Sequence, residues 1–132
     1  MGSTLDADVP GKRGLAHFSN ASVASNGADA ISGMIMIAPQ SMEILAAKRT
    51  PSGDQAANAN SHRKITVNNG AVVISSVAMS ASVASLATQA LSGTATVAAG
   101  VALNFSHATV GGAHSTGTVL QAGTLQVEYR LL

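Results

Sequence analysis

Apolar and polar residues alternate with a period of two near the end of the chain. Successive side chains of a β-strand point to opposite faces of its sheet, so this alternation predicts a strand with one buried face. It is the clearest strand signal in the sequence. The apolar parity holds Leu125, Val127, Tyr129 and Leu131, and the polar parity holds Thr124, Gln126, Glu128 and Arg130.

The same period occurs between residues 96 and 106, where small residues separate the apolar ones. This alternation predicts a second strand through the whole segment. One parity holds Val97, Ala99, Val101, Leu103 and Phe105, and the other holds Thr96, Ala98, Gly100, Ala102, Asn104 and Ser106.

Two apolar runs flank an Asn-Asn-Gly sequence in the middle of the chain. Ile65-Thr66-Val67 precedes Asn68-Asn69-Gly70, and Ala71-Val72-Val73-Ile74 follows it. Asn-Gly suits the positive backbone angles of a tight hairpin turn. Residues 65–77 are therefore predicted to form a two-stranded hairpin that turns at Asn69-Gly70.

Three other segments are less clearly patterned. The run Met34-Ile35-Met36-Ile37 lies between Gly33 and Pro39 and predicts a short strand buried on both faces. Residues 41–49 are compatible with a short helix capped by Ser41, or with a strand whose Met42 and Ile44 point inward. Residues 78–91 fit either a helix or a strand.

The predicted fold is mainly β, an antiparallel sandwich or barrel-like domain over residues 31–132, with one short helix if residues 41–49 are helical. A chain of 132 residues and 13.1 kDa is expected to form one such domain. Residues 1–30 are broken by Pro10, Gly11 and Gly14 and hold few apolar side chains. They are predicted to be an extended arm that reaches a neighbouring subunit, and the alternative is a loop folded back on its own subunit.

The stretch between Lys64 and Glu128 contains no Asp, Glu, Lys or Arg. Soluble domains contain about 25% charged residues, so such a stretch is not expected to face water on every exposed side. We predict that residues 65–127 are buried largely between subunits. The candidate interface positions are Phe18, Ala98, Ala102, Ser106 and Tyr129.

A membrane-spanning helix is the rival explanation of this uncharged stretch. Residues 71–91 have about the ~20 residues that a bilayer requires. Serine, threonine and glutamine interrupt them seven times, and no Trp or Tyr marks an interface on either side. No membrane partner is therefore expected.

The composition favours an assembly over a free monomer. Aromatic residues make up only 2% of the chain, and such side chains normally dominate the energetics of a core. The net charge of +1 does not favour nucleic acid. The dibasic pairs Lys12-Arg13, Lys48-Arg49 and Arg63-Lys64 are nearly balanced by carboxylates and are interpreted as solvated surface.

Sequence motifs for catalysis or cofactor binding are not found. The chain has no cysteine, no nucleophile elbow, no phosphate-binding loop and no dinucleotide fingerprint. His107 and His114 flank Gly111-Gly112 and could meet across a turn, but no acidic residue of the uncharged stretch is available to complete a metal site. Residues 55–62 are polar and predict an exposed loop. We expect no enzyme activity, no cofactor and no metal.

The expected function is structural. The chain is predicted to be a subunit of a large homo-oligomeric assembly, with a virus or bacteriophage particle as the first candidate, as a capsid, decoration or tail protein. Its partners would be copies of itself and other structural proteins of the particle. Because the first residues lack a signal-peptide pattern, assembly in a host cytoplasm is expected. The alternatives are an extracellular, pilus-like filament subunit that uses strand exchange and a small ligand- or glycan-binding β module.

Overall fold

The computed structural model describes residues 11–23, 30–55, 61–69, 72–78, 84–111 and 119–132. In these ranges every regular element is a β-strand, and the prediction of a mainly β chain is confirmed. The strands are β1 (Arg13–Asn20), β2 (Ala30–Ile37), β3 (Met42–Pro51), β4 (Ser61–Asn69), β5 (Val72–Ala78), β6 (Gln89–Leu91), β7 (Thr96–Val97), β8 (Ala102–Gly111) and β9 (Gly123–Leu131).

The strands form two antiparallel sheets that pack against each other as a sandwich. Sheet I has the order β1-β9-β3-β6, and β7 also pairs with β3. Sheet II has the order β2-β8-β4-β5. An isolated bridge between Ser76 and Ser92 joins the β5 edge of sheet II to the chain that leaves β6, with N–O distances of 2.8 and 2.9 Å. The sandwich is therefore closed along one of its two lateral edges.

The core lies between the sheets and is largely aliphatic. The alternation at the end of the chain gives β9 its buried face, on which Leu125, Val127 and Leu131 point inward. In sheet II, Leu103 and Phe105 do the same on β8. β8 and β9 each pair with a strand on both sides, so each holds an interior position in its sheet and contributes its inward side chains to the core.

Residues 42–51 form strand β3, so the helix interpretation of residues 41–49 is wrong. Met42 and Ile44 point inward and are fully buried, as the strand interpretation requires. β3 pairs with β9 on one side and with β6 and β7 on the other. The helix signals were a cap and a favourable charge order, which are each worth about 1 kcal/mol, and pairing on both edges outweighs them.

The predicted strand over residues 96–106 is interrupted by a turn. β7 ends at Val97 and β8 begins at Ala102, while Gly100 adopts a φ of 81°. Ala38 clamps this turn, since its N–H donates to the Val101 carbonyl at 2.9 Å and its carbonyl accepts from Gly100 N–H at 2.8 Å. Alternation alone did not reveal the break, because the turn residues are small.

The part of the predicted arm that the structure describes belongs to the domain's own sheet. β1 pairs with β9 along its whole length, from Arg13 opposite Arg130 to Asn20 opposite Gly123. Its Ala16 and Phe18 pack against the core. Residues 13–20 therefore correspond to the folded-back alternative, and residues 1–10 and 24–29 lie outside the described ranges.

The strand pairing of the predicted hairpin is confirmed, because β4 and β5 pair antiparallel from Asn69 opposite Val72 onward. The predicted turn at Asn69-Gly70 includes residue 70, which with residue 71 lies outside the described ranges. Residues 84–88 are not helical, and residues 89–91 form β6. Within the described ranges, no helix has the length and hydropathy that crossing a bilayer requires.

The strand predicted at Met34–Ile37 is present as part of β2, but it is not buried on both faces. Met34 and Ile37 are each 54% exposed. β2 is an edge strand of the described sheet, and no described element forms a second layer over its outer side. The continuous apolar run therefore produces an exposed apolar surface on the edge of sheet II.

Candidate assembly surface

The outer face of sheet I is charged. The strand registers place five charged side chains on it: Arg13, Glu43, Lys48, Glu128 and Arg130. Two pairs of them are salt bridges, with Arg13 Nη1 3.4 Å from Glu128 Oε1 and Arg130 Nη2 2.6 Å from Glu43 Oε2. This face has the character of an ordinary water-facing sheet.

The outer face of sheet II differs from it in charge. Pairing with β8 fixes which side chains point outward, since residues opposite one another in an antiparallel pair share a face. Among the described residues of this face, the only formally charged side chain is Lys64, which lies opposite Ala108. We call the rest of it the uncharged face: Met34, Ile37, His62, Thr66, Asn68, Val73, Ser76, Ala78, Ala102, Asn104, Ser106, Ala108 and Val110.

The uncharged face has a low centre and a raised apolar rim. Its central strand β8 presents Ala102, Asn104, Ser106 and Ala108, which are short and half-buried. The two edge strands carry larger apolar groups, with Met34 and Ile37 on β2 and Val73 on β5. Val73 is half exposed, and Val110 closes one end of the central row.

Two of the five predicted interface positions lie together on the uncharged face. Ala102 and Ser106 both point outward on β8. The Ser106 Oγ is shielded from solvent and has no hydrogen-bond partner among the described residues. Ala98 is exposed, but it lies in the turn between β7 and β8 and not on this face.

The other two predicted positions, Phe18 and Tyr129, point into the sandwich. The Phe18 ring stacks on Phe105 with a centroid distance of 5.1 Å and an interplanar angle of 26°. Tyr129 lies over Gly14, where any Cβ would overlap its ring. Both rings pack against the core of their own chain, so we leave them out of the assembly surface.

A group of buried polar side chains was not predicted from the sequence. Arg49 and Arg63 are almost fully buried, at 1% and 0% exposure, although both belong to dibasic pairs interpreted as solvated surface. Gln55 and His62 are also buried, at the two ends of the segment predicted to be an exposed loop. For the two arginines the cause is the same: in Lys48-Arg49 and in Arg63-Lys64 the strand's alternation turns the lysine outward and the arginine into the core.

Two of these buried side chains fix the approach to β9. Arg49 Nη2 donates to the Gln121 carbonyl, which also accepts from Asn20 Nδ2 at 3.0 Å. Gln55 uses both ends of its amide: its Nε2 donates to the Val119 carbonyl at 2.6 Å, and its Oε1 accepts from Gln121 N–H at 2.9 Å. The chain that enters β9 is therefore held by side chains from β1, β3 and the segment after β3.

Burial lowers the pKa of Arg49 from its ordinary value to about 10, because the folded chain removes water from its guanidinium. The folded pKa lies below the unfolded value, so the unfolded chain binds more protons between these two pH values. The free energy of unfolding is therefore expected to rise with pH only above about pH 10. At neutral pH, Arg49 is charged in both states.

Replacing Gln55 with leucine is expected to lower the free energy of unfolding by about 2–3 kcal/mol. Leucine keeps most of the volume but leaves the Val119 carbonyl and the Gln121 N–H without their partner, at about 1–3 kcal/mol for each unsatisfied buried group. Chemical denaturation measures the loss. The control is Gln126→Leu on the exposed face of β9, which we expect to change stability by less than about 0.5 kcal/mol. Equal effects of the two changes would contradict the role of Gln55.

The histidine pair considered for metal binding is not seen as a pair. His107 is buried, and its Nδ1 lies 2.9 Å from Arg63 Nη1. His114 lies outside the described ranges. Within those ranges, no three His, Asp or Glu side chains come together as metal ligands.

A shallow depression of about 420 Å³ lies on the outer face of sheet I. Arg13, Gly14, Leu15, Gln126 and Glu128 line it, and its charged residues already form a salt bridge with each other. It is open to solvent and has no aromatic side chain in its wall. The feature that distinguishes this chain's surface is therefore the contrast between its two outer faces.

Comparison of the chain with protein-family models, curated proteins and solved structures finds no match to any of them.

Proposed function

We propose that this chain is a structural subunit of a large assembly made of copies of itself, and that its uncharged face contacts another copy. A virus or bacteriophage particle is the first candidate for that assembly, with the chain as a capsid, decoration or tail protein. The observation that carries the proposal is the unequal charge of the two outer faces. Sheet I presents five charged side chains outward, whereas the described part of the outer face of sheet II presents one, Lys64.

Charge depletion supports the proposal because the centres of protein interfaces lose charged residues relative to the rest of the surface. The charged face of sheet I shows that this chain does place ion pairs where a sheet faces water. On the uncharged face, Met34 and Ile37 are each more than half exposed. Their burial by a partner would remove apolar surface from water. Both differences favour a covered face.

A glycan-binding module is less well supported. Sugar-binding surfaces commonly use exposed aromatic rings, which combine a large apolar area with a polar edge. All three aromatic residues of this sequence, Phe18, Phe105 and Tyr129, point into the sandwich. The depression on sheet I presents a salt bridge in place of convergent free polar groups.

The proposal is tested by Ala102→Lys. A lysine at this position would bring a charge into the contact, and we expect the concentration needed for half-maximal assembly to rise at least about tenfold, or about 1.4 kcal/mol for each contact. Sedimentation velocity measures assembly, and chemical denaturation measures the stability of the subunit. Stability should change little, because Ala102 is not in the core.

The matched control is Thr124→Lys, on the outer face of sheet I. Thr124 is exposed and pairs with the uncharged residues Ser19 and Thr50, so a lysine there lies directly opposite no like charge. We expect its assembly to equal that of the wild type. If Ala102→Lys also assembles like the wild type, the uncharged face is not an interface. Electron microscopy of the wild type separates closed particles from filaments, and a filament would favour the pilus-like alternative.

A further inference from the structure

We infer that the partner of the uncharged face is the same face of a second copy, so that two sandwiches pack sheet II against sheet II about a two-fold axis. The inference rests on the proposed function and adds to it the identity and geometry of one contact. Charge, relief and size of the face each support it.

The charge distribution excludes the chain's other broad face as the partner. Packing the uncharged face onto sheet I would take Lys48 and the Arg13–Glu128 pair out of water without offering any opposite charge in return. The cost of such desolvation is several kcal/mol for each ion. A second uncharged face requires no ion to be desolvated except Lys64, which lies opposite Ala108 on β8 and Ala78 at the end of β5, from where its long side chain can extend the amine toward solvent.

The shape of the uncharged face is complementary to the same face of a second copy. Short side chains occupy the interior strand β8, and the larger Met34, Ile37 and Val73 lie on the two edge strands, β2 and β5. Facing sheets pack with their strand directions rotated by about 30° because of their twist. The raised rim of one copy can therefore lie across the low centre of the other, and the reverse contact follows from the two-fold symmetry.

The size of the face matches a small specific interface. Four strands spaced about 4.8 Å apart, with about eight residues at about 3.3 Å each, span roughly 500 Å². Two copies then bury about 1,000 Å² in total, which is close to the lower bound for a specific contact. A smaller apolar patch would not hold two copies together without help from other contacts.

The absence of cysteine from the sequence makes the geometry directly testable. Single cysteines are placed along the central strand as Ala102→Cys, Asn104→Cys and Ala108→Cys, and Gln126→Cys on sheet I serves as control. Each variant is assembled and treated with a bismaleimide of about 10 Å span, since facing sheets lie about 10 Å apart. Only a two-fold contact brings a central position close to its own copy. We expect about tenfold more covalent dimer at one or more of the three positions than at Gln126, because a two-fold axis through the middle of the face passes close to β8.

The outcomes separate this inference from the proposed function. If the wild type stays monomeric at all concentrations, the proposed function fails. If it assembles, no central position cross-links to itself, and Asn104→Cys instead cross-links to Gln126→Cys in a mixed sample, the contact joins different faces. That result overturns the two-fold inference and leaves the proposed function standing.

Discussion

Replacing Phe105 with alanine is expected to lower the free energy of unfolding by about 3–5 kcal/mol, the range measured for Phe→Ala in cores. Phe105 is fully buried on the central strand of sheet II and is the only aromatic residue with no exposed surface. It stacks on Phe18 from sheet I, so its removal takes away a contact between the two sheets as well as its own burial. Typical domains have only about 5–15 kcal/mol of stability in total.

Urea denaturation of wild type and variant under conditions that keep the chain monomeric measures this loss. Val110→Ala is the control, because it removes apolar atoms from the same strand at a position that is 39% exposed. We expect the control to cost less than about 1 kcal/mol. A loss below about 1 kcal/mol for Phe105→Ala would show that the aliphatic residues alone hold the sheets together.

Replacing Gly93 with alanine is expected to cost about 3 kcal/mol, which combines a positive φ with a steric overlap. Gly93 has a φ of 115°, and a Cβ at this position would meet the carbonyl oxygen of Ile74. The obstacle is backbone and cannot rotate away. The Gly93 carbonyl also accepts a hydrogen bond from Ser75 Oγ at 2.8 Å, so a shift of this segment would disturb the place where the two sheets are joined.

Gly100→Ala separates the two components of this cost. Gly100 also has a positive φ, of 81°, but a Cβ there would have no atom within 4 Å. Its substitution should cost only the backbone contribution, about 1 kcal/mol. Thermal unfolding of both variants checks the difference. Equal losses would mean that the approach of Gly93 to Ile74 relaxes without cost.

The sequence predicted those strands whose two faces differ. In β9 the apolar and polar parities are sharply separated, and Leu125, Val127 and Leu131 are buried as expected. β3 was ambiguous, because its signals for a helix and for a strand act over the same residues. Long-range pairing with β9 decided it, and no local pattern encodes that pairing.

The sequence predicted a long stretch without charged residues but not the surface on which those residues lie. The sequence indicated that uncharged residues must be covered, but only the register of β2, β4 and β5 against β8 shows which of them share a side. Ala102 and Ser106 were correctly placed opposite the core because the parity of β8 is regular. Phe18 and Tyr129 were selected for their size, which in a chain this poor in aromatic residues is used to fill the core.

The burial of Arg49 and Arg63 could not be predicted from charge patterning. Both residues lie beside a lysine, and a pair of basic residues normally indicates a solvated surface. One signal was present: in a strand only one residue of such a pair can face water, and arginine carries more donors for buried carbonyl groups than lysine does.

The order of the strands along the chain also determines when the protein can fold. The two central strands, β8 and β9, follow all the other described strands in the sequence, and β1, β2, β3 and β4 all pair with one of them. Among the described strands, only β4 and β5 are both consecutive in sequence and paired with each other. The sandwich therefore cannot be completed before β8 and β9 have been synthesised, and pairings so distant in sequence form in about milliseconds to seconds. A chain whose synthesis stops before Gly123 lacks the centre of sheet I and has no finished sandwich. Incomplete products would therefore fail to present the uncharged face on a folded sheet, and the topology itself would exclude them from the proposed assembly.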